Sequence, residues 1–535
     1  MFQHYSVGKP PGKSPMRARM EKAGIMNRIR NRCLFIAMAF AVWWLVFVYR
    51  FVSDGRSTTP AVEAETRVHQ IDISYLEREQ SHTLKSRIPE KFATRDALSK
   101  VEEGCAGKYV YIHHLPRRFH EGILAQCGNL SLWFDMCREV VNSGFGQTME
   151  DSDGVFSKTG WYATNQFSLE IIFHHKVTHY KCRTMDSSKA NAIFVPFYSG
   201  VEVMPHLWDG ASISHRDEVP NEFAKWLTSQ PEWSRMYGHD HFMIGGRVTW
   251  DFRRQTNEEW DWGNRLLLLE PLKNMTTLTI EASPWHNWDV GVPYPTYLHP
   301  STDQEVFDWQ DHVATVKRKS LFCFAGAPRP KQDTSIRAQI MTQCRESEYC
   351  NLLECTKDAG KCHEPANVMR LFKESHFCLQ PAGDSYTRRS LFDSILSGCI
   401  PVVFHEYSAY TQYGWFFPEQ NSSYSVFIDE EFIRAENVSI EEVLRSFSAQ
   451  EIEAMRKVVI SLIPRILYSS PISEMTLKDA FDLSIEGVIE RIVEYQRVME
   501  EEAKSLAYQK DKAVKEVQDA KARLDSILRA GFRDR

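Results

Sequence analysis

From Cys105 onward, short apolar runs that end in Gly or Pro alternate with stretches of helical periodicity. Three apolar runs lie in the first part of this region, at 108–116, 191–200 and 241–247. The stretch 165–177 between them has the spacing of an amphipathic helix. Alternation of short buried strands with helices predicts an α/β domain with a mostly parallel sheet, which we place at 104–310.

The same pattern begins again near residue 311. Its clearest predicted strands are 319–329, 376–383 and 399–404, with helices over 335–346 and 388–397. A second α/β domain is therefore predicted at 311–480. Beyond it, 481–535 is a charged helical tail in which Leu506 and later apolar positions nearly follow a 3-4 spacing. A short coiled coil and a solvated surface helix both fit that tail.

The N-terminal region has a different pattern. Eight Lys or Arg and one acid precede an uncharged run of 17 residues, 33–49. A helix of that length spans roughly 25 Å, enough for a thin bilayer. We predict a cytoplasmic basic tail at 1–32, a transmembrane signal anchor at 33–52 and a polar lumenal stem at 53–103. A cleaved signal peptide is the alternative, although its apolar region is usually shorter.

Charge and cysteine content are consistent with a globular body in an oxidising lumen. A net charge of −6 argues against a nucleic-acid partner, since phosphate binding normally requires a basic excess. Eleven of the 12 cysteines follow the apolar run. In an oxidising lumen the cluster between Cys344 and Cys362 favours disulfides over zinc. The odd number of lumenal cysteines leaves at least one free thiol or one intermolecular disulfide. The triplets that predict N-glycosylation begin at Asn129, Asn274, Asn421 and Asn437.

The residues 376–404 form one predicted strand, loop, helix and strand. Asp384 or Ser385 is expected to cap the helix, whose N-terminus attracts anions through unpaired N–H groups and the helix dipole. Cations are ordinarily unfavourable in a first helical turn, yet Arg388 and Arg389 lie there. A diphosphate bound at this helix N-terminus would explain both arginines.

Asp393 lies one turn further along the same helix. It could accept hydrogen bonds from the hydroxyls of a ribose. The alternative is a simple i,i+4 ion pair with Arg389, with Gly383 serving only as a turn.

The run PAGDSYTRRSLFDSILSGCIPVVFHEYSAYTQY resembles the signature of the exostosin-like glycosyltransferases, glycosyltransferase family 47. Four further stretches resemble the same family in the same order, at 105–120, 236–254, 293–300 and 319–330. The motifs GDSYTRRS and SAYTQY are similar to those of the plant branch of the family, the xyloglucan galactosyltransferases. The match covers roughly residues 105–480.

This resemblance implies a GT-B fold, in which two Rossmann-like domains face a cleft. The C-terminal domain would hold a UDP-sugar and the N-terminal domain the acceptor. The positions that the resemblance assigns to the donor site are Arg247, Gly383, Ser385, Arg388, Arg389 and Asp393. One departure is that His114 stands where members of the family usually have an aspartate.

The expected reaction is inverting sugar transfer, with a base in the N-terminal domain that deprotonates the acceptor hydroxyl. The candidate bases are Asp240, His114 and Asp289. No resident cofactor or metal ion is expected. The D-x-D pattern Asp151-Ser-Asp153 follows a polar stretch rather than a buried strand, and His239 and His241 lack the further ligands of a zinc site.

Together these features predict a single-pass Golgi enzyme that moves galactose from UDP-galactose to xyloglucan or a related polysaccharide. Other glycosyltransferases and the Golgi membrane are the expected further partners. Galacturonic acid or arabinose as the transferred sugar is one alternative. A non-catalytic lumenal protein that stabilises other transferases is another.

Overall fold

A computed structural model describes residues 104–132, 134–150, 154–327, 335–355, 362, 364–435 and 438–531. The predicted tail, membrane anchor and stem lie outside these residues, as do Asp151, Asp153 and Asn437. Across the described part of the chain, no helix has both the length and the apolar character needed to cross a membrane.

Two parallel sheets organise the described residues. The strands of the N-terminal sheet are β1 (Val110–Ile112), β2 (Arg183–Thr184), β3 (Ala192–Phe194), β4 (His241–Val248), β5 (Thr276–Glu281) and β6 (Asp289–Gly291). They follow the order β2-β1-β3-β4-β5-β6, and every pair is parallel. Strands β3, β4 and β5 are buried throughout, because helices and loops cover both faces of the sheet.

The C-terminal sheet is built in the same way. Its strands are β7 (Ser320–Gly326), β8 (Cys350–Glu354), β9 (Ser375–Gln380), β10 (Ile400–Val403) and β11 (Val426–Phe427). Their order is β11-β10-β9-β7-β8, again with only parallel pairs. The prediction of an α/β fold with parallel sheets is confirmed. The domain boundaries at 310 and 480 stay predictions.

Helices connect the strands. Those of the N-terminal half are α1 (Glu121–Leu124), α2 (Met136–Glu139), α3 (Leu169–Thr178), α4 (Ser199–Val203), α5 (Ile213–Thr228) and α6 (Trp233–Met236). The later ones are α7 (Asp303–Thr315), α8 (Ile336–Glu346), α9 (Pro365–Lys373), α10 (Arg389–Leu396), α11 (Glu430–Ala435), α12 (Ile440–Arg445), α13 (Ala449–Ser461), α14 (Ile463–Ile466) and α15 (Ala480–Gly531). Side-chain caps begin several of them, including a capping box at Thr302.

One hydrophobic cluster runs through both halves of the chain. It includes strands of both sheets and aromatic pairs such as Trp161 and Trp309, whose ring centroids lie 4.6 Å apart. The carboxyl ends of β5 and β9 are therefore held in a common packed body. The loops that follow these two strands can therefore contact each other.

The last helix, α15, packs against the N-terminal half. Just before it, Asp479 accepts a hydrogen bond of 2.6 Å from the buried Lys176 ammonium. Further along, Tyr495 stacks on His239 with 3.9 Å between ring centroids. Residues 504–524 of this helix are exposed, so in the single chain they form a solvated surface helix.

Cysteine pairing agrees with an oxidising environment. The disulfides are Cys105–Cys182, Cys127–Cys137, Cys344–Cys350, Cys355–Cys362 and Cys378–Cys399. The prediction of disulfides in the cluster 344–362 is confirmed. The unpaired cysteine of the described residues is Cys323, which is buried on β7.

Candidate donor site and its surroundings

The loop between β9 and α10 carries most of the predicted donor residues. The helix begins at Arg389, with Arg388 as its N-cap residue in extended conformation. The prediction that Asp384 or Ser385 caps the helix was wrong, because residues 385–387 are held instead by a carboxylate from the other half of the chain. The loop closes on itself through the Gly383 N–H, which donates to the Ser385 carbonyl at 2.8 Å.

That carboxylate belongs to Glu281, the last residue of β5. The Thr387 N–H and hydroxyl both donate to Glu281 Oε2 at 2.7 Å. The Ser385 hydroxyl and the Tyr386 N–H lie beside this carboxylate and favour its charged form. Burial raises the pKa of Glu281, while these hydrogen bonds oppose the shift. Sequence reasoning did not find Glu281, since its partners lie about a hundred residues away.

Arginines surround the backbone of the same loop. A Cβ atom placed on Gly383 would lie 3.2 Å from Arg337 Nη2 and 3.7 Å from Arg388 Cγ. Arg337 is in the first turn of α8, and it too was missed by sequence reasoning. Arginine guanidinium groups are suited to phosphate oxygens because they donate several hydrogen bonds in one plane. The loop can therefore accept a phosphorylated ligand near Gly383.

Arg389 and Asp393 form the ion pair that sequence analysis held as the alternative. Arg389 Nε lies 3.4 Å from Asp393 Oδ2, and both side chains are largely buried. Burial raises the pKa of Asp393 to about 6, although the charge on Arg389 opposes the shift. The Arg389 guanidinium also donates to the Thr164 carbonyl. Ribose binding by Asp393 stays a prediction.

Arg247 lies at the carboxyl end of β4. Its Nε donates to Asp251 Oδ2 at 2.5 Å, and its guanidinium covers the Phe167 ring at 4.2 Å from the centroid. The backbone beside it is fixed by Glu170, which accepts from the Gly246 N–H at 3.0 Å. Burial raises the pKa of Glu170 to about 7. Contact of Arg247 with a donor across the cleft stays a prediction.

Two of the three candidate bases lie in buried ion pairs. Asp240 is fully buried, with hydrogen bonds from Arg235 at 2.6 Å and from His241 at 2.7 Å. Burial alone would raise its pKa, but the hydrogen bond from His241 and the charge on Arg235 lower it. Asp289 accepts two hydrogen bonds from Arg253, the shorter 2.6 Å. Both carboxylates thus accept hydrogen bonds from structural partners, and a role of either one as the catalytic base stays a prediction.

His114 has a different environment. It is exposed in the loop after β1, with its ring 6.0 Å from Tyr111 in an edge-on arrangement. Its neighbour His113 is buried and lies 3.1 Å from His241, measured between the Nε2 atoms. Burial lowers the pKa of His113 to about 3, so His113 is held neutral. Among the three candidates, His114 is the one with an exposed side chain.

The three described glycosylation triplets differ in accessibility. Asn129 is exposed, next to the Cys127–Cys137 disulfide. Asn274 is half-buried, and its amide nitrogen donates to the Tyr237 carbonyl at 2.8 Å. Asn421 is half-buried as well. Modification at these positions stays a prediction, and Asn129 is the most accessible of them.

Parallel sheets with an arginine-lined loop at a strand-to-helix junction are typical of enzymes that bind nucleotides. Comparison with known proteins gives the class, which is glycosyltransferase. Residues 104–444 match the model of the exostosin GT47 domain. The chain belongs to the exostosin family of glycosyltransferases, GT47, as the sequence motifs predicted.

Relatives from Arabidopsis thaliana extend this comparison. The chain is 43% identical to xyloglucan galactosyltransferase MUR3, over 93% of this chain and 88% of that protein. It is 43% identical to xyloglucan galactosyltransferase XLT2, over 74% of this chain and 77% of that protein. Identity to xyloglucan-specific galacturonosyltransferase 1 is 39%, over 74% of this chain and 58% of that protein.

A solved structure was also matched. The pneumococcal O-GlcNAc transferase GtfA, in complex with UDP and GlcNAc, superposes with a TM-score of 0.23 and 11% identity. The match covers 54% of this chain and 60% of that chain. This similarity is too low to support an inference about fold or site.

Proposed function

We propose that this enzyme transfers galactose from UDP-galactose to side chains of xyloglucan. The observation that carries the proposal is the 43% identity to a xyloglucan galactosyltransferase over 93% of the chain. The loop after β9 supports a nucleotide diphosphate as the donor, since arginines converge on its backbone near Gly383. Galacturonic acid is the second candidate sugar, because a xyloglucan-specific galacturonosyltransferase is 39% identical.

The donor site of this proposal consists of the loop 381–388 and the arginines beside it. Arg337 and Arg388 bind the diphosphate oxygens, and Gly383 lets the phosphates approach the backbone because it has no side chain. The charge that develops on the leaving UDP is stabilised by these guanidinium groups. Ser385 belongs to the same loop. Arg247, Arg389 and Asp393 would then bind the sugar and ribose from its borders.

The acceptor side of the proposal is the N-terminal sheet. We place the acceptor hydroxyl near His114, whose exposed imidazole removes the proton as the oxygen attacks the anomeric carbon. In this arrangement the two sheets belong to the two Rossmann-like domains of a GT-B fold, at 104–310 and 311–480. The enzyme is anchored in the Golgi membrane by the apolar run 33–49, with the sheets in the lumen.

A donor screen tests the proposed function. The full chain, expressed in microsomes and purified in detergent, would be incubated with xyloglucan oligosaccharide and either UDP-galactose, UDP-galacturonic acid or UDP-arabinose. Product masses and linkage analysis identify the sugar. Galactose transfer is the expected result. A gain of a uronic acid instead assigns the enzyme to the second candidate, and no gain with any donor overturns the proposal.

Two controls sharpen this screen. A parallel reaction with EDTA is expected to keep its rate. Loss of transfer in EDTA would show that the reaction needs a metal ion. His114→Asn keeps a polar side chain of similar size but is a much weaker base. We expect it to lower kcat at least a hundredfold with little change in the KM of UDP-galactose. A kcat within threefold of the wild-type value would exclude His114 as the base.

A further inference from the structure

Glu281 joins the end of one sheet to the donor loop of the other. Its carboxylate is 4% exposed and faces the loop that precedes α10. Both the N–H and the hydroxyl of Thr387 donate to its Oε2 at 2.7 Å, and the Ser385 hydroxyl and Tyr386 N–H lie beside the carboxylate. Thr387 is thus held through two groups by a single side chain from β5.

The position of Glu281 is itself fixed by the C-terminal half. The Tyr413 hydroxyl donates to the Ile280 carbonyl at 2.9 Å. The Gln412 side chain accepts from the Ala282 N–H at 2.8 Å and donates to the Ala282 carbonyl at 3.0 Å. The backbone on both sides of Glu281 is therefore fixed by hydrogen bonds that do not involve its carboxylate.

Thr387 has a second partner from the N-terminal half. Its hydroxyl lies 3.0 Å from the hydroxyl of Tyr294, which is buried just after β6. The next residue is Arg388, and α10 starts at Arg389. The direction in which Arg388 leaves the backbone therefore depends on where Thr387 is held.

A carboxylate is an unexpected residue beside a site for a diphosphate, because the two negative charges repel each other. It is also costly to bury unless its lone pairs are occupied by donors. Both Thr387 donors share one carboxylate oxygen, Oε2, and an ionised oxygen accepts stronger hydrogen bonds than the neutral amide oxygen of Gln. Gln at position 281 would therefore weaken these hydrogen bonds without changing the size of the side chain.

We propose that Glu281 is a positioning residue for the nucleotide donor: it holds the loop 385–387 in the conformation that presents Arg388 and the start of α10 to the diphosphate. The assignment rests on the proposed function for the identity of the ligand. It places the control of donor affinity in the half of the chain that binds the acceptor. Glu281 itself does not contact the reacting atoms.

The test compares variants of the full chain in two assays, UDP binding by calorimetry and galactose transfer. Glu281→Gln and Thr387→Val each remove part of the contact, whereas Thr387→Ser keeps the hydroxyl. We expect the first two to weaken UDP binding and raise the KM of UDP-galactose about tenfold, the effect of about 1.4 kcal/mol. The acceptor KM should change less than twofold. The double variant should be no weaker than either single variant, since both remove the same contact.

Asp303 supplies a matched control. It accepts from the N–H and the hydroxyl of Thr476, the same pair of groups, but at the start of α7 and away from the loop. Asp303→Asn is expected to leave UDP affinity and donor KM unchanged. Thr387→Ser should retain most of the donor affinity, which links the effect to the hydroxyl.

The outcomes separate the two proposals. If Glu281→Gln lowers the melting temperature but leaves UDP affinity and donor KM as in the wild type, Glu281 is only structural and the assignment is overturned. Equal changes in Asp303→Asn would overturn it as well. If the wild-type chain transfers another sugar yet Glu281→Gln still weakens UDP binding, the positioning role stands and only the sugar is revised. If the wild type does not bind UDP, both proposals fail.

Discussion

The Arg389 guanidinium lies over the ring of Tyr297, 3.7 Å from its centroid. Arg389 opens the helix of the donor loop, whereas Tyr297 belongs to the N-terminal half. The same guanidinium pairs with Asp393 and donates to the Thr164 carbonyl. A cation in the first turn of this helix is thus explained by contacts between the two halves as much as by a bound anion.

Arg388 and Arg389 should therefore behave differently when truncated. We expect Arg388→Ala to lower galactose transfer at least tenfold with an unchanged free energy of unfolding, because the proposed function assigns this side chain to the donor. Arg389→Ala leaves the buried Asp393 without its cation, so it should also lower the free energy of unfolding by about 2–4 kcal/mol. Denaturant unfolding and initial rates measure the two effects.

Arg389→Lys is the control for this pair, since it keeps the charge but not the planar group that covers Tyr297. It should lie between the wild type and Arg389→Ala in stability. Full activity in Arg388→Ala would exclude that residue from the donor site. Equal stability of Arg388→Ala and Arg389→Ala would contradict the structural role of Arg389.

The ion pair between Lys176 and Asp479 should contribute strongly to stability. The two side chains are 7% and 1% exposed, and the ammonium also donates to the Ser469 hydroxyl at 2.6 Å. Burial alone would raise the pKa of Asp479, but the Lys176 charge lowers it. Lys176→Met leaves a buried, uncompensated carboxylate, so we expect a loss of about 3–5 kcal/mol in the free energy of unfolding.

A second variant separates charge from packing at this position. Lys176→Met combined with Asp479→Asn removes both charges and should recover much of that loss, as measured by denaturant unfolding. A loss below about 1 kcal/mol in Lys176→Met alone would show that the pair is not buried in solution.

Glu202 should make stability depend on pH. Its carboxyl group is 8% exposed, one oxygen has no hydrogen-bond partner among the described residues, and burial raises its pKa to about 8. Because the folded chain prefers the protonated group, its contribution is fully present below about pH 4.5 and is lost as the pH rises toward 8. Glu202→Gln cannot ionise. Its melting temperature should exceed that of the wild type by an amount that grows from pH 5 to pH 8.

The exposed Glu218 on α5 is the control for this measurement. Its side chain is 63% exposed, so Glu218→Gln should follow the wild-type pH profile. A constant difference between Glu202→Gln and the wild type at every pH would show that folding does not raise the pKa of Glu202.

Cys323 should be protected from alkylation. Burial raises the pKa of its thiol to about 12, and its sulfur lies 3.4 Å from Cys378 Sγ, which is in a disulfide with Cys399. Iodoacetamide should therefore label it only after denaturation without reductant, as peptide mass mapping would show. Labelling of Cys323 in the native protein, or of the Cys378 peptide after denaturation, would contradict this pairing.

The fold was predictable because each strand carries its own signal. Apolar runs such as 241–247 and 376–383 are short, end in Gly or Pro-containing loops and are separated by helical stretches, as buried parallel strands require. The position of the donor loop followed from the same local pattern. These signals need only neighbouring residues.

The contacts of the site were less predictable because they join distant parts of the chain. Glu281 and Thr387 are 106 positions apart, and Arg253 and Asp289 are 36 apart. The helix α10 starts at Arg389 rather than at the expected caps, and Glu281 holds Thr387 just before it. The sequence did contain a signal for Arg337. It is an arginine in the first turn of a helix that follows a buried strand, and the same pattern indicated Arg388.

The packing of α15 against the N-terminal half also sets the order in which the protein can mature. The ribosome makes β1 to β6 first, yet Lys176 and His239 find their partners only when Asp479 and Tyr495 have been synthesised. Nearly four hundred residues separate β1 from these partners. The first half of the enzyme therefore stays incompletely covered until almost the whole chain has been translated.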